Sequence, residues 1–406
     1  MRKACCLLLL SVLGGGASQQ KKLDVTTFVV LGEGLAAGMA DFSLRDVYQD
    51  KSFPAQMARQ MKTIFPQPLI QSPGIGNVPG FPSLPVRVPT TLQTTVRTPF
   101  PPYLFVFNLS VPGFRVADSI NRRPSPPLVQ DRDAVQTSTN LILGFPALIL
   151  GKGKPLWTQL EYARQMNPTI ALVELGYYDV LEPAVKGDPS LLPDVAAFRT
   201  NYSTILATLK GLFAQVLVTT IPDPMDTAYF TSLSGATRLV GAPADVLAGL
   251  YKLHPSDRLT VNGLATIGSQ LQVNETGTLP AGSVVSAATA DQISKRVDAL
   301  NSEITSLAQQ NGAIVYDLRT FFRLMKASGI QVGSKTLTAD YLGGFYSLDG
   351  FYPGNTGHAL IANELLNLLN QTYKESFSLV DVNAVLNTDP AVRFTPAVKR
   401  PGKGSK

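Results

Sequence analysis

The sequence predicts an α/β protein, a three-layer α/β/α sandwich built around a five-stranded parallel sheet. Several short apolar runs lack the polar alternation of half-exposed strands, which is typical of strands buried on both faces. Segments with apolar residues at intervals of three and four separate these runs and indicate helices. The first run, residues 26–31, leads into the turn Gly32-Glu33-Gly34-Leu35. Such a turn lies at the carboxyl edge of a parallel sheet, where ligands bind in open α/β folds.

The later elements follow the same alternation along the chain. Further strands are predicted at residues 103–111, 168–175, 215–221 and 313–318, and helices at 52–65, 156–165, 198–213, 244–253 and 290–310. The helix over 290–310 has the clearest pattern, with Thr289 as its expected N-cap and Gly312 as its expected stop. A final apolar helix begins near His358.

Composition and charge exclude some function classes. The chain has 406 residues, is 45% hydrophobic and 16% charged, and can bury a large core. The net charge of +6 equals the number of basic residues near the two ends, namely Arg2, Lys3, Lys399, Arg400, Lys403 and Lys406. The body is therefore close to neutral, which argues against nucleic acid as a partner. We expect no cofactor and no metal.

The ends of the chain predict its location and domain limits. Residues 1–20 resemble a secretory signal, with a basic start, an apolar centre too short to span a bilayer, and small residues for cleavage. A secreted or periplasmic protein is expected. Both cysteines lie in this segment, so no disulfide is expected. Residues 21–375 are predicted to form one domain with two insertions, at about 66–102 and 225–280. Residues 376–406 form an extension with a basic tail.

Four short blocks in the chain resemble the GDSL/SGNH hydrolases, a family of esterases and lipases. The first is the turn containing Gly34, and the second is a strand that ends at Gly113. The third is Gly176-Tyr177-Tyr178-Asp179, and the fourth is Asp349-Gly350-Phe351-Tyr352-Pro353. The order of the blocks and their places after strands match the family. The resemblance implies its fold and, as a class of activity, ester hydrolysis.

The same resemblance implies a role for each matched position. The nucleophilic serine would stand at Gly34, the backbone oxyanion donor at Gly113, the asparagine donor at Tyr178, the orienting acid at Asp349 and the histidine base at Tyr352. Glycine offers no hydroxyl, and tyrosine is neutral near pH 7 and a poor proton acceptor. The sequence therefore predicts loss of the usual triad mechanism.

Other residues at this edge leave several interpretations open. The ligand-binding candidates are Glu33, Tyr177, Asp179 and Phe351. Aromatic rings at the mouth of a cleft can stack on sugars or acyl chains. Paired carboxylates can cleave a glycosidic bond or hold a cation. In the alternative interpretation the rings only fill space and the carboxylates accept backbone N–H groups.

Three functions follow from these alternatives. The first is a secreted SGNH-like protein that is inactive by the usual triad and binds a lipid, ester or carbohydrate at the former site. The second is an active ester or glycoside hydrolase with a rearranged site. The third is a structural protein of the cell envelope with the cleft filled. The space between Gly34, Gly113, Tyr178 and Tyr352 distinguishes two of these functions. An open space favours the ligand-binding protein, and a filled space favours the structural protein.

Overall fold

The computed structural model describes residues 22–76, 96–97, 105–129, 131, 133–151, 153 and 155–394. The expected signal segment, most of the proline-rich 66–102 segment and the basic tail lie outside the described residues. The strands are β1 Phe28–Gly32, β2 Leu69–Ile70, β3 Val96–Arg97, β4 Ile170–Glu174, β5 Gln215–Thr219, β6 Phe230–Ser232, β7 Arg258–Thr260, β8 Val284–Val285, β9 Ile314–Tyr316, β10 Ile330–Val332 and β11 Lys335–Leu337.

Helices connect these strands. They are α1 Gly34–Ala37, α2 Asp46–Gln49, α3 Phe53–Met61, α4 Val116–Asn121, α5 Ala134–Ile142, α6 Phe145–Leu150, α7 Gln159–Met166, α8 Tyr177–Lys186, α9 Val195–Gly211, α10 Leu233–Val240, α11 Ala244–Tyr251, α12 Val261–Gln272, α13 Ala287–Asn311, α14 Leu318–Ser328, α15 Asn355–Tyr373 and α16 Val382–Leu386. Short 3₁₀ helices occur at Pro189–Leu191, Pro224–Asp226 and Pro390–Phe394.

The main sheet is parallel and has the strand order β1-β4-β5-β9. Every residue of β1 and β4 is buried, so both faces of the sheet are covered. Helices α3 and α15 pack together, while α9 packs against α13, α4 and α7. The predicted α/β class with a parallel sheet is confirmed.

The described sheet has four strands, so the prediction of five is wrong for this part of the chain. The expected second strand does run beside β1, where Val30 N–H donates to Phe107 O at 2.9 Å and Val111 N–H donates to Gly32 O at 3.1 Å. It forms only an isolated bridge, between Val30 and Asn108. The ladder is interrupted because backbone groups that face β1 bond elsewhere: Phe107 N–H donates to Pro66 O, and Leu109 O accepts from the Gln159 side chain.

The region of the predicted second insertion forms a small unit of its own. Strands β6, β7 and β8 make an antiparallel sheet, and α10, α11 and α12 pack with it. The unit has a separate hydrophobic cluster, formed by Leu233, Ala236, Leu247, Leu259, Leu264 and Ile267. That this unit is an insertion into a family fold stays a prediction.

Helix α13 starts earlier than its pattern predicted. Its N-cap is Ser286, whose Oγ accepts from Thr289 N–H at 3.1 Å, so Thr289 lies in the first turn and is not the cap. The predicted stop is correct, because Gly312 ends the helix with a φ of 71°. The buried residues Leu300 and Ile304 lie on the predicted apolar face.

The C-terminal segment helps to fix α15. The cap position of this helix is Gly354, which has no side chain to accept from the first N–H groups. Asp389 supplies the acceptor instead: its Oδ2 accepts from Thr356 N–H and from the Thr356 hydroxyl, each at 2.6 Å. Residues well beyond 375 therefore belong to the packed structure.

We expect Asp389→Ala to lower the free energy of unfolding by about 1–3 kcal/mol, because it removes a buried cap from α15. Urea denaturation would measure the change. Asp381→Ala is the matched control, since exposed Asp381 caps only the five-residue α16. An equal loss in both variants would contradict this role of Asp389.

Candidate functional site

The glycine turn after β1 is a compact, buried helix start. Glu33 is the N-cap of α1, and its Oε1 accepts from Leu35 N–H at 2.7 Å. Helix α1 has only four residues and ends at Gly38, where φ is 81°. Glu33 and Gly34 are both buried, so the turn presents its backbone to other parts of the protein and not to solvent.

Glu174 holds this turn from the neighbouring strand. The register of β1 on β4 pairs Gly32 with Glu174, the last residue of β4. Glu174 Oε2 accepts from Glu33 N–H at 3.3 Å and from Ala36 N–H at 3.1 Å. The sequence showed an acid at the end of an apolar strand, but only the register reveals that this acid binds the glycine turn.

Tyr352 occupies the space above Gly34. Its hydroxyl donates to Glu33 Oε2 at 2.9 Å, and its side chain is fully buried. An ideal Cβ built on Gly34 would lie 2.6 Å from Tyr352 Cζ, closer than real contacts allow. The residues at the positions matched to the nucleophile and the base therefore fit each other in volume. The Tyr352 ring fills the volume that a side chain at position 34 would need.

Asp349 shapes the turn that carries Tyr352. Its Oδ1 accepts from Phe351 N–H at 3.1 Å and from Tyr352 N–H at 2.9 Å. Its Oδ2 has no hydrogen bond of good geometry with any described residue, although the Ser347 hydroxyl is near enough to lower its pKa. On the other side of the turn, Tyr229 N–H donates to Gly350 O at 2.8 Å. Asp349 thus stabilises the backbone turn.

The aromatic residues of the site are packed inside the protein. Tyr177, Phe351 and Tyr352 are fully buried, and Tyr178 is 6% exposed. The Tyr177 hydroxyl donates to Phe351 O at 3.1 Å, and its ring lies edge-on to Tyr352 with centroids 6.1 Å apart. The Tyr229 ring, also fully buried, packs against Phe351 with centroids 5.0 Å apart. These rings are enclosed, which favours the interpretation that they fill space over the interpretation that they line the mouth of a cleft.

Asp179 bonds to a different part of the chain from the glycine turn that Glu33 and Glu174 hold. Its Oδ2 accepts from Val116 N–H at 2.9 Å, just after the turn at Gly113, where φ is 87°. It also lines a cavity of about 210 Å³ beside Arg115 and Asn201. The Arg115 guanidinium is paired with Glu182 at 2.5 Å. Among the predicted ligand residues, Asp179 borders this space, whereas Glu33, Tyr177 and Phe351 are enclosed.

Burial perturbs all of these carboxyl groups. Removal from water raises the pKa of Glu33, Asp179 and Asp349 to about 7 each. It raises the pKa of Glu174 well above its ordinary value, and the nearby charge of Glu33 adds to the effect. Within the described ranges, no three metal-ligating side chains come together as a possible metal site.

The two histidines offer no replacement base here. His358 is buried beside Phe53, and its Nδ1 accepts from Phe53 N–H at 3.3 Å. Burial lowers the pKa of His358 to about 3, so it is neutral at physiological pH. His254 is exposed in the small unit, where its ring accepts from Ser256 N–H.

No family model matches the chain, and no curated protein sequence matches it. Solved structures with some similarity include LAE5, an α/β hydrolase enzyme from the metagenome of Lake Arreo, at 10% identity and a TM-score of 0.36, over 84% of this chain and 94% of that one. The esterase EstA from Pseudoalteromonas is 11% identical over 86% and 100%, with a TM-score of 0.35. Phospholipase A1 from Streptomyces albidoflavus is 13% identical over 86% and 99%, with a TM-score of 0.33. Sequence identities and TM-scores this low establish neither a family nor an activity.

No helix in the described part of the chain is long and apolar enough to cross a membrane.

We expect Gly34→Ala to destabilise the protein by about 1–3 kcal/mol or more, because its new Cβ would overlap the buried Tyr352 ring. Thermal or urea denaturation would measure this, and Gly249→Ala, at a helix position with open space, is the control. In a Tyr352→Ala background the same substitution should cost much less. Equal costs in both backgrounds would contradict the packing described here.

We expect Asp179 to make the protein less stable as pH rises. Its pKa of about 7 in the folded state exceeds its ordinary value of 3.8, so the folded state binds more protons between these values. The free energy of unfolding should therefore fall by up to about 1.4 kcal/mol per pH unit from this group. Unfolding of wild type and Asp179→Asn between pH 4.5 and 7 would show the difference, and Asp245→Asn, at an exposed position, is the control. Parallel curves for wild type and Asp179→Asn would contradict it.

Proposed function

We propose that this protein is a secreted, non-hydrolytic protein of the SGNH type whose former catalytic edge now serves the fold. One observation carries the proposal: the Tyr352 ring fills the side-chain space of Gly34. A nucleophile could not be accommodated there without displacing that ring. The protein would then work through its surface, as a structural or interaction protein of the envelope.

Tyr352 itself does not make a convincing nucleophile. Burial, together with the negative charge of Glu33, raises the pKa of Tyr352 well above its ordinary value, so its hydroxyl stays protonated. The hydroxyl is enclosed and already donates to Glu33. In a comparable triad, loss of the nucleophile or the base reduces turnover by about 10⁶. Hydrolysis of esters or glycosides by a rearranged site is therefore the less favoured alternative.

Ligand binding at the former site is limited by the same burial. Glu33, Tyr177 and Phe351 are enclosed, so a ligand would have to use the cavity beside Asp179. That cavity, at about 210 Å³, is smaller than typical ligand pockets of about 300–1,000 Å³. A space of that size suits a few heavy atoms better than a sugar chain or a lipid, which favours the interaction function.

A reactivity assay with a gain-of-function variant tests this proposal. Wild-type protein should neither hydrolyse short-chain aryl esters nor react with a serine-directed fluorophosphonate probe. Gly34→Ser combined with Tyr352→His supplies a nucleophile and a base beside Asp349 and removes the overlapping ring. We expect the folded double variant to be labelled by the probe.

The two arms can each contradict the proposal. Turnover and covalent labelling of the wild type would refute the absence of catalysis. A double variant that is folded by circular dichroism but remains unlabelled would argue against the SGNH assignment of positions 34 and 352. Gly34→Ser alone serves as the control for the missing base.

A further inference from the structure

The edge of the sheet opposite the candidate site carries an unusual exposed surface. It is formed where the chain enters the parallel strands, and we call it the amino-edge surface. Its members are Lys22, Lys62, Ile64, Lys210, Phe213 and Lys374, all exposed.

Phe213 is the most exposed large apolar side chain of this surface, at 92%. It has a φ of 60°, the left-handed conformation that side chains other than glycine rarely adopt. Phe213 N–H donates to Lys210 O and Ala214 N–H donates to Leu209 O, so Phe213 occupies the position after α9 where glycine is usual. Phe42 has a similar φ, but its ring is only 4% exposed. Packing within the chain therefore compensates Phe42 and does not compensate Phe213.

A cavity of about 540 Å³ adjoins Phe213 and lies between segments that lead into the parallel strands. Its lining includes Lys22, Leu212, Phe213 and Tyr373. Ile64, 59% exposed, follows Thr63, whose hydroxyl donates to Val25 O just before β1. Because β1 and β5 are separated by one strand, the segments that lead into these two strands lie about 10 Å apart across the sheet. Both exposed apolar groups therefore belong to the same edge of the sheet.

The charge of this surface is positive. Its four exposed lysines face two acids at the same edge, Asp24 and Glu375. Both acids are engaged with the backbone: Asp24 accepts from Thr26 N–H, and Glu375 accepts from Leu23 N–H. Exposed apolar side chains surrounded by lysines match the interface of an anionic bilayer, where aromatic rings insert and lysines meet the headgroups.

The exposed Phe213 ring and the exposed lysines at the same edge point to one partner. We propose that the amino-edge surface docks on an anionic lipid bilayer, with Phe213 inserted at the interface. This inference is independent of whether the former catalytic edge is inactive.

Fluorescence quenching on the mature protein, from residue 21 onward, tests the proposal at the level of single residues. Phe213→Trp places a reporter on the surface, and Val273→Trp places one on another exposed position, 62% exposed in the small unit. Wild-type protein gives the signal of its single tryptophan, Trp157. With vesicles of phosphatidylglycerol and brominated phosphatidylcholine, we expect loss of emission from Phe213→Trp and unchanged emission from the other two proteins. All three proteins are compared in the form that begins at residue 21, so the predicted signal segment cannot bring the reporter to the bilayer.

Affinity measurements give a second test. Phe213→Gly should weaken vesicle binding by about tenfold, because an aromatic anchor is lost. Each of Lys22→Gln and Lys374→Gln should weaken it by about fivefold on anionic vesicles, and by less at high salt. The Phe213→Gly protein should melt at the same temperature as wild type or higher, because glycine suits the left-handed position. Loss of binding could then not be explained by unfolding.

Other outcomes would overturn the proposal. Equal quenching of Phe213→Trp and Val273→Trp would mean that this surface has no special role in binding. A wild-type dimer that becomes a monomer in Phe213→Gly, with no quenching by vesicles, would identify the surface as a contact between protein copies. Unchanged affinity of Phe213→Gly for vesicles would likewise exclude Phe213 as the anchor.

Discussion

The hydrogen bond from the Tyr352 hydroxyl to Glu33 is the interaction on which the carboxyl edge of the sheet depends. It joins residues 319 positions apart in sequence, and it lies directly over Gly34. The glycine is required because the ring needs its side-chain volume. The ring, in turn, is held by Asp349, which accepts from the backbone N–H groups of Phe351 and Tyr352. The first turn and the last turn of the site therefore form one packed unit.

This unit buries acids that would be costly without partners. Glu33 and Glu174 both accept backbone N–H groups of the glycine turn, and Glu33 also accepts the tyrosine hydroxyl. Because both carboxyl groups are removed from water, their pKa values rise, and together they avoid carrying two full charges at neutral pH. The bonds specify one geometry for the turn, while burial keeps solvent away from it. Such an arrangement stabilises the contact between the two turns more readily than it supports catalytic turnover.

The two edges of the sheet are consequently different in character. At the carboxyl edge, aromatic rings from α8 and the 349–352 turn are enclosed, and Tyr229 of the segment leading into the small unit packs against Phe351. At the amino edge, Phe213 and Ile64 are exposed among lysines. In an α/β fold the first edge is the usual place for a ligand, yet here the second edge presents the apolar groups that a partner could cover.

The sequence by itself determined the α/β class, the parallel strands and the apolar face of α13, because these depend on local periodicity. It also pointed to Glu33, Gly34, Asp349 and Tyr352 as one site. It did not determine the strand count or the cap of α13, since each depends on backbone groups choosing between competing partners. Only the tertiary structure decided that Tyr352 fills the space of Gly34, that Glu174 holds the turn, and that the rings are buried. Those facts depend on distances between residues far apart in the chain, and periodicity carries no information about such distances.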